Sequence, residues 1–307
     1  MRPSRIRGAL ALLAIVGLVA AGCGKSTPSG GGTPSSSTGA VTKDPAIAAE
    51  VPANIKSKGS VTVAVDASYA PNEFFGPDNK TIVGWDVDLG HALGTVMGVK
   101  FNFVEAGFDG IIPGLSSGKY DIGMSSFTDN KDREKTVDMV TYFSAGTSFY
   151  TKSGGPSIGT LDGLCGHTVA VEKGTTQLDD ATAQSKKCTS AGKKKVTVLA
   201  FPDQNGANLA LSSGRADVAM ADSPVAAYQV KLLNGQVQLS GQPYGVAPYG
   251  IAIARPSGSA AGTAPMSKPI LDALKKLIDN GVYKQILDKW GVQAGAITSP
   301  VVNGAVS

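Results

Sequence analysis

Apolar and polar positions along the chain recur in short runs at βα spacing from about residue 61 to residue 290. Val61-Thr62-Val63-Ala64-Val65 is an alternating, β-branched run that predicts a buried strand. Helical spacing of Val87, Leu89, Leu93 and Val96 predicts a helix to about Met97, capped by Asp86 or Asp88. Val99 to Glu105 alternates as a second strand. Phe108 to Leu115 reads as a short helix capped by Asp109, and Tyr120 to Met124 as a third strand. Val137 to Tyr142 leaves this unit, and Ser148 to Thr151 begins another.

The second unit repeats the grammar. Thr168 to Val171, Val196 to Phe201 and Ala216 to Met220 are strands, helices open near Gln177 and Asn205, and Tyr228 to Leu233 continues a helix. Tyr249 to Ala254 is an extended apolar segment. Helices over Ser267–Ile278 and Val282–Trp290 follow, separated by Gly281, which suits a left-handed helix end. The tail 292–307 reads as disordered. Strands alternating with helices predict an α/β fold, and a body from about Pro45 to Gly291 is long enough for two lobes with separate cores.

Candidate chemistry sits at the carboxyl ends of the strands, where open α/β sheets bind ligands. Asp66 ends the first strand, with Tyr69, Asn72 and Glu73 in the loop behind it. An acid and an aromatic there suit a small molecule with positive charge and some apolar surface; a capping Asp and a packing Tyr are the alternative. Ser125 to Arg133 follows the third strand. With Thr128 as an N-cap, free backbone N–H groups and Arg133 face one side, which makes a carboxylate site; a capped helix with a surface Arg is the alternative. Asp222 ends a strand of the second unit, and Gly174 to Gln177 places hydroxyls at a helix start.

The amino terminus changes the picture of where the body works. Arg2, Arg5 and Arg7 precede an apolar run from Ala9 to Ala21. That run is shorter than the roughly 20 residues of a membrane span and fits a secretory leader over 1–22. It ends in Ala20-Ala21-Gly22-Cys23, which resembles the lipobox of bacterial lipoproteins, with Ala20 where Leu is usual. The likeness implies cleavage before Cys23 and acylation of its thiol. Residues 23–45 are rich in Gly, Ser, Thr and Pro and predict a flexible tether, whose reach is about 25 Å. With Cys23 assigned to lipid, Cys165 and Cys188 remain as a pair in an exported chain, which predicts a disulfide. The net charge is +4, of which three charges belong to the leader. That balance excludes the strongly basic face of a nucleic-acid binder. Two histidines, His91 and His167, lack metal-ligand spacing, so neither metal nor cofactor is expected.

The ordered set of motifs resembles a family. Gly84-Trp85-Asp86-Val87-Asp88-Leu89, Phe108-Asp109-Gly110-Ile111-Ile112-Pro113, the Ser125–Arg133 loop, Gly174-Thr175-Thr176, Gly214-Arg215-Ala216-Asp217 and Gly281 through Trp290-Gly291 occur together. The body is similar to bacterial extracytoplasmic solute-binding proteins of the polar amino-acid class (family 3), the binding lipoproteins of ABC importers. The resemblance implies a two-lobe clamshell: lobe one over 46–143 and 249–291, lobe two over 148–245, with crossovers near 143–147 and 245–249. It implies that Arg133 grips a ligand α-carboxylate, aided by Ser126 and Thr128, with Thr175 and Thr176 reaching it from lobe two. Asp222 would pair with the α-ammonium, Tyr69 and Phe108 would flank the side-chain stem, and Asp66 would read its polar end. Lys173 follows Glu172 one place later than a lysine sometimes stands in the family, which leaves the lobe-two side-chain contact open.

The implied partners are a polar amino acid, basic or glutamine, and a permease with its ATPase. The implied protein is a monomer held at the outer face of the cell membrane by its lipid. A nucleophile–base pair, a paired acid and base, and a metal cluster are all missing from the sequence, so a binding protein is expected rather than an enzyme. A dehydratase-like enzyme on the same fold and a ligand-sensing module are the alternatives.

Overall fold

The computed structural model describes residues 41–255 and 264–306. The leader, Cys23 and the tether to residue 40 lie outside these. In chain order the strands are β1 (Ser60–Val65), β2 (Ser68–Tyr69), β3 (Glu73–Phe75), β4 (Ile82–Val83), β5 (Lys100–Glu105), β6 (Ile122–Thr128), β7 (Val137–Lys152), β8 (Thr168–Glu172), β9 (Thr197–Phe201), β10 (Val218–Asp222) and β11 (Val237–Ala254). β2, β3 and β4 form a small antiparallel sheet, and the other eight lie in the order β5-β1-β6-β11-β7-β10-β8-β9. β1 pairs in parallel with β5 and β6, and β8 with β9 and β10, as βα units require.

Two long antiparallel strands join the halves. The sequence reads as separate short segments around Val137–Tyr142, Ser148–Thr151 and Tyr249–Ala254. The chain instead runs unbroken through β7 (16 residues) and β11 (18 residues). The first half of β7 pairs with the end of β11, which pairs with β6; residues 147–151 of β7 pair with β10. The β7–β11 register slips between Tyr244 and Ala247 and again at Tyr249/Gly250. We place the change from one lobe to the other at these slips. Nearly every residue of β7 is buried, so its pattern lacks the alternation that would have marked one continuous strand.

Each lobe has its own core. On one face of the first lobe Trp85, Leu89, Leu93, Ile270, Leu274 and Leu287 pack together; on the other, Phe108, Ile111, Leu115 and Phe127. In the second lobe Ala207, Leu211 and Val225 form one cluster, and Leu164, Val169 and Met220 another. Cys165 and Cys188 are joined, tying the end of a 3-10 turn to the helix Thr176–Ser190. Closing a loop of this length stabilises by about 3 kcal/mol in the chain-entropy view.

Three expected caps are corrected. The helix Trp85–Met97 starts at Gly84 with no side-chain cap, and Asp86 is buried within its first turn. Gly84 sits at φ +141°, and a Cβ there would lie 1.9 Å from the Asn72 carbonyl oxygen, so only glycine fits. The helix Phe108–Ser116 starts at Gly107, and Asp109 makes no cap. Thr128 is the last residue of β6; the short helix Lys131–Glu134 is capped by Asn130, whose Oδ1 accepts the Arg133 N–H at 2.9 Å. The tail is also corrected. Far from disordered over its described residues, it forms a 3-10 turn at Gln293–Gly295 and an isolated bridge from Val302 to Val140. The tether's last residues dock as well, with the Asp44 carboxylate capping the helix Pro45–Glu50.

A buried polar network lies behind the β1 and β6 ends. The Ser125 hydroxyl donates to Glu73 at 2.8 Å, and the Tyr142 hydroxyl to Asp86 at 2.7 Å. Ser126, held at φ +53°, gives Asp86 its N–H and its hydroxyl, each at 3.2 Å. Asn72 donates to the Ser126 hydroxyl and accepts from the Trp85 indole N–H at 2.7 Å. Burial pushes Glu73 well above the usual carboxyl range and Asp86 up to about 7, each near the other's charge. The pair thus favours retaining protons over bearing two buried charges. Because both folded-state pKa values are raised, their stability contribution is full below the ordinary carboxyl range and is lost as pH rises through the raised values, about 7 for Asp86. The melting temperature should therefore fall between pH 5 and pH 8. Glu73→Gln should shrink that fall by about 2–4 °C, the shift produced by roughly 1 kcal/mol in a chain of this size. Calorimetric scans at the two pH values measure this, and an undiminished fall would show that the pair holds no proton.

Candidate functional site

β1, β6, β8 and β10 all end at the cleft between the lobes, and their last residues and following loops line one cavity. Its walls are Asp66, Tyr69, Phe108, Ser125, Ser126, Thr128, Arg133, Glu172, Thr175, Thr176, Gln177 and Asp222, around about 290 Å³ of atom-free space. All nine residues expected from the sequence reach this cavity, and the lobes are closed on it. Across the cleft the Asp222 N–H donates to the Tyr69 hydroxyl at 3.0 Å, and the Gln204 N–H donates to Ser68 Oγ at 3.0 Å.

Arg133 is the cavity's cation. Its Nη1 donates to the Thr128 carbonyl at 2.8 Å in lobe one, and its Nη2 to the Gly174 carbonyl at 3.0 Å in lobe two. The guanidinium lies over the rings of Phe108 and Phe127, 5.4 and 5.3 Å from their centroids. Those rings stack on each other at 4.5 Å, so the aromatic pair fixes the plane of the guanidinium. Burial lowers its pKa to about 10, which leaves it charged at neutral pH.

Asp222 is oriented by neutral donors. Tyr249 donates to its Oδ2 and Gln177 to its Oδ1, both at 2.7 Å. Burial raises its pKa, while these donors and Arg133 work in the opposite direction. Gln177 also donates to Thr147 on β7, so the acid is oriented from both long strands and from the helix Thr176–Ser190.

Asp66 accepts the N–H groups of Ser68 at 3.0 Å and Phe108 at 3.1 Å, which aim its carboxyl into the cleft. Facing it from lobe two is Glu172, the last residue of β8. The two carboxyls are close enough for each to feel the other. Burial raises both, and the Asp66 charge holds Glu172 well above the ordinary glutamate range. Glu172 is 2% exposed, and its Oε1 has no hydrogen-bond partner. An unpaired buried carboxyl oxygen costs on the order of 1–3 kcal/mol and calls for a donor that the protein does not supply.

Some expected roles fall elsewhere. The Thr175 hydroxyl is committed to its own turn, donating to the Glu172 carbonyl at 2.7 Å and accepting the Leu178 N–H at 3.2 Å. The Ser126 hydroxyl belongs to the Glu73–Asp86 network. Asn72, Glu73 and Trp85 lie behind the cavity wall; Trp85 packs 4.5 Å from the Phe143 ring. The sequence reading missed Glu172 as a wall residue, although its position at a strand end preceding the Gly-Thr-Thr turn carried the same signal as Asp66. It also missed Gln177, one residue inside the helix. Among the described residues, no group of three or more His, Cys, Asp or Glu is placed to hold a metal, and no helix is long and apolar enough to cross a membrane.

Comparison with known proteins gives this geometry a lineage. Residues 61–293 match the model of the bacterial extracellular solute-binding proteins, family 3. The arginine-binding protein ArgT of Corynebacterium glutamicum is 33% identical over 260 residues, covering 84% of this chain and 83% of that protein. An ancestral arginine-binding protein, solved bound to arginine and also to glutamine, is 34% identical with a TM-score of 0.66, covering 76% of this chain and 98% of that one. AncCDT-1, an ancestral amino acid-binding protein described as a precursor of cyclohexadienyl dehydratase, is 33% identical with a TM-score of 0.67, covering 77% and 97%. The chain belongs to the family 3 bacterial extracellular solute-binding proteins, and it is the amino-acid-binding component of an ABC transporter, working outside the cytoplasm.

Proposed function

We propose that this protein captures a cationic amino acid, arginine foremost, by closing its lobes, and hands it to the permease. The observation that carries the choice is the Asp66–Glu172 pair, one carboxyl from each lobe, with the Glu172 Oε1 unpartnered. A guanidinium offers five N–H donors in a fixed fork and can bond both carboxylates at once. Arg133 and the Thr176 helix start take the α-carboxylate, with Ser126, Thr128 and Thr175 shaping that end. Asp222 takes the α-ammonium, and Tyr69 and Phe108 flank the aliphatic stem. Glutamine could satisfy the amino-acid end, but it leaves the two carboxyls needing a shared proton. The names of the relatives, several of which bind arginine, support the same reading.

The protein works as a monomer, without metal or cofactor, tethered to the outer face of the membrane by lipid on Cys23. We read it as a binding protein rather than an enzyme, because the polar wall residues form matched charge grips rather than a base set against a leaving group. One observation favours a second reading. A glutamate whose pKa is raised by burial and that faces a cavity has the chemistry of a general acid, and AncCDT-1 is described as a precursor of a dehydratase. Turnover of a carboxylate substrate by the purified protein would favour that reading.

A thermal-shift screen of residues 43–307 against all amino acids should single out arginine. Saturation at 100 times Kd adds about 2.7 kcal/mol, or a shift of about 5 °C or more. If glutamine gives the larger shift, the assignment to a cationic ligand fails. Arg133→Ala should lose at least about tenfold in arginine affinity, the worth of one charge-assisted hydrogen bond, by calorimetry. The pH dependence has a definite sign. The free carboxyls are raised, and a bound guanidinium favours their ionised forms, so binding releases protons and affinity rises with pH through the raised Glu172 pKa. Kd for arginine should therefore be lower at pH 8 than at pH 5. In Glu172→Gln it should be at least about tenfold higher and nearly flat with pH; a wild-type profile in that variant would remove Glu172 from the site.

A further inference from the structure

The tail beyond residue 295 takes a specific path. β7 meets β10 only from Thr147 onward, so residues 137–143 present an edge on the side away from β11. The tail lies along that edge. The Thr141 N–H donates to the Val301 carbonyl at 2.8 Å, and the Val301 N–H to Thr141 Oγ1 at 2.8 Å. The Asn303 N–H donates to the Met139 carbonyl at 2.8 Å, and Asn303 Oδ1 accepts the Met139 N–H at 2.9 Å. Covering the edge accounts for the order of this segment, but not for what its end does.

Beyond Asn303 the chain turns to the loop that bears Thr128 and Arg133. The Gly304 N–H donates to Asp129 Oδ2 at 2.7 Å, and the Ala305 N–H to Glu134 Oε1 at 3.0 Å. Asp129 immediately follows Thr128, and Glu134 immediately follows Arg133. The two carboxyls face each other, with Lys131 2.9 Å from Glu134 as their nearest cation. Asp129 is fully buried, its Oδ1 has no partner, and its pKa is raised by burial to about 7. The two tail N–H groups thus tie the carboxyls on both sides of the Arg133 loop to the segment held on the β7 edge.

We propose that residues 301–305 are a strap that positions Arg133 and Thr128 for the ligand carboxylate. Gly304 and Ala305 act through Asp129 and Glu134; they touch no ligand. A strap explains why a glycine stands at 304, where a Cβ would lie 2.8 Å from Val301 Cγ2 and 2.9 Å from Thr141 Cγ2. It also accounts for the tail's two amide contacts falling on the residues that flank the grip.

The test uses a chain ending at Asn303, which keeps the β7 pairing, and the full-length variant Ala305→Pro, which removes one N–H and adds no terminal charge. The ligand arm rests on the arginine reading and compares L-arginine with L-argininamide, which lacks the carboxylate. The truncated chain should bind arginine about tenfold more weakly, the worth of one charge-assisted hydrogen bond. Argininamide should change by less than about twofold, because it never uses the full grip. Ala305→Pro should move in the same direction by a smaller factor. Unchanged arginine affinity, or equal loss for both ligands, overturns the strap. A full-length protein that binds no arginine refutes the ligand assignment instead. Hydrogen exchange of the ligand-free protein then decides the strap alone. Amides of residues 128–134 should exchange faster in both variants while those of the helix Trp85–Met97 do not, and unchanged exchange in the loop overturns the proposal.

Discussion

Three carboxyls and one guanidinium, brought from two lobes into one narrow, largely buried cleft, are the constraint on which the rest of this structure depends. Buried charges are costly unless each is paired, and this cavity holds more acid than base. Asp222 is met by neutral donors from Tyr249 and Gln177, and Arg133 by two carbonyls and two aromatic rings. Asp66 and Glu172 have only each other and a few amides. The imbalance is concentrated at one end of the cavity, the end that, on the proposed reading, receives the ligand side chain.

Holding such groups apart at fixed positions needs a stiff surround, and the structure supplies it from behind. The Glu73–Asp86 pair, with Tyr142 and Asn72, ties Ser126 into a left-handed conformation that a non-glycine residue rarely adopts. Trp85 locks Asn72 in turn and packs on Phe143 of β7, so the wall is continuous with the strand that joins the lobes. The G-W-D-V-D-L element is thus legible twice over. Its glycine is demanded by the Asn72 carbonyl, and its first acid belongs to the network supporting the cavity wall rather than to a helix cap.

How much of this the sequence showed follows from where each signal is local. β1, β5, β8, β9 and β10 have short alternating or apolar runs bounded by turn residues, and those read directly. Asp66, Arg133 and Asp222 stand at strand ends or just past them, so topology alone points to them. Glu172 has the same position, but its role depends on Asp66 facing it from the other lobe, a relation that a linear pattern does not contain. Thr128 was assigned to a cap because the strand before it was read too short; the buried run Ser125-Ser126-Phe127 continues β6 by pairing with β11. The tail looked disordered because its valines and alanines follow no helical or alternating period and are interrupted by Gly295, Pro300 and Gly304. Its order comes from the unpaired edge of β7, about 160 residues away in sequence.

The same carboxyl pair bears on closure. An empty closed cavity brings Asp66 and Glu172 together and must then either retain a proton between them or bear two like charges in a low-dielectric space. Opening the lobes separates them and restores water to both. On the proposed reading, a ligand cation would replace the proton and remove the repulsion, but only in the closed form, where both carboxyls reach it. A ligand shifts a conformational equilibrium by as much as its affinity differs between the two states. The pair makes that difference large for a cationic side chain and small for a neutral one. On the proposed reading, the contacts that choose the ligand are thus also those that make closure depend on it, and Glu172, contributed by lobe two, would carry both effects.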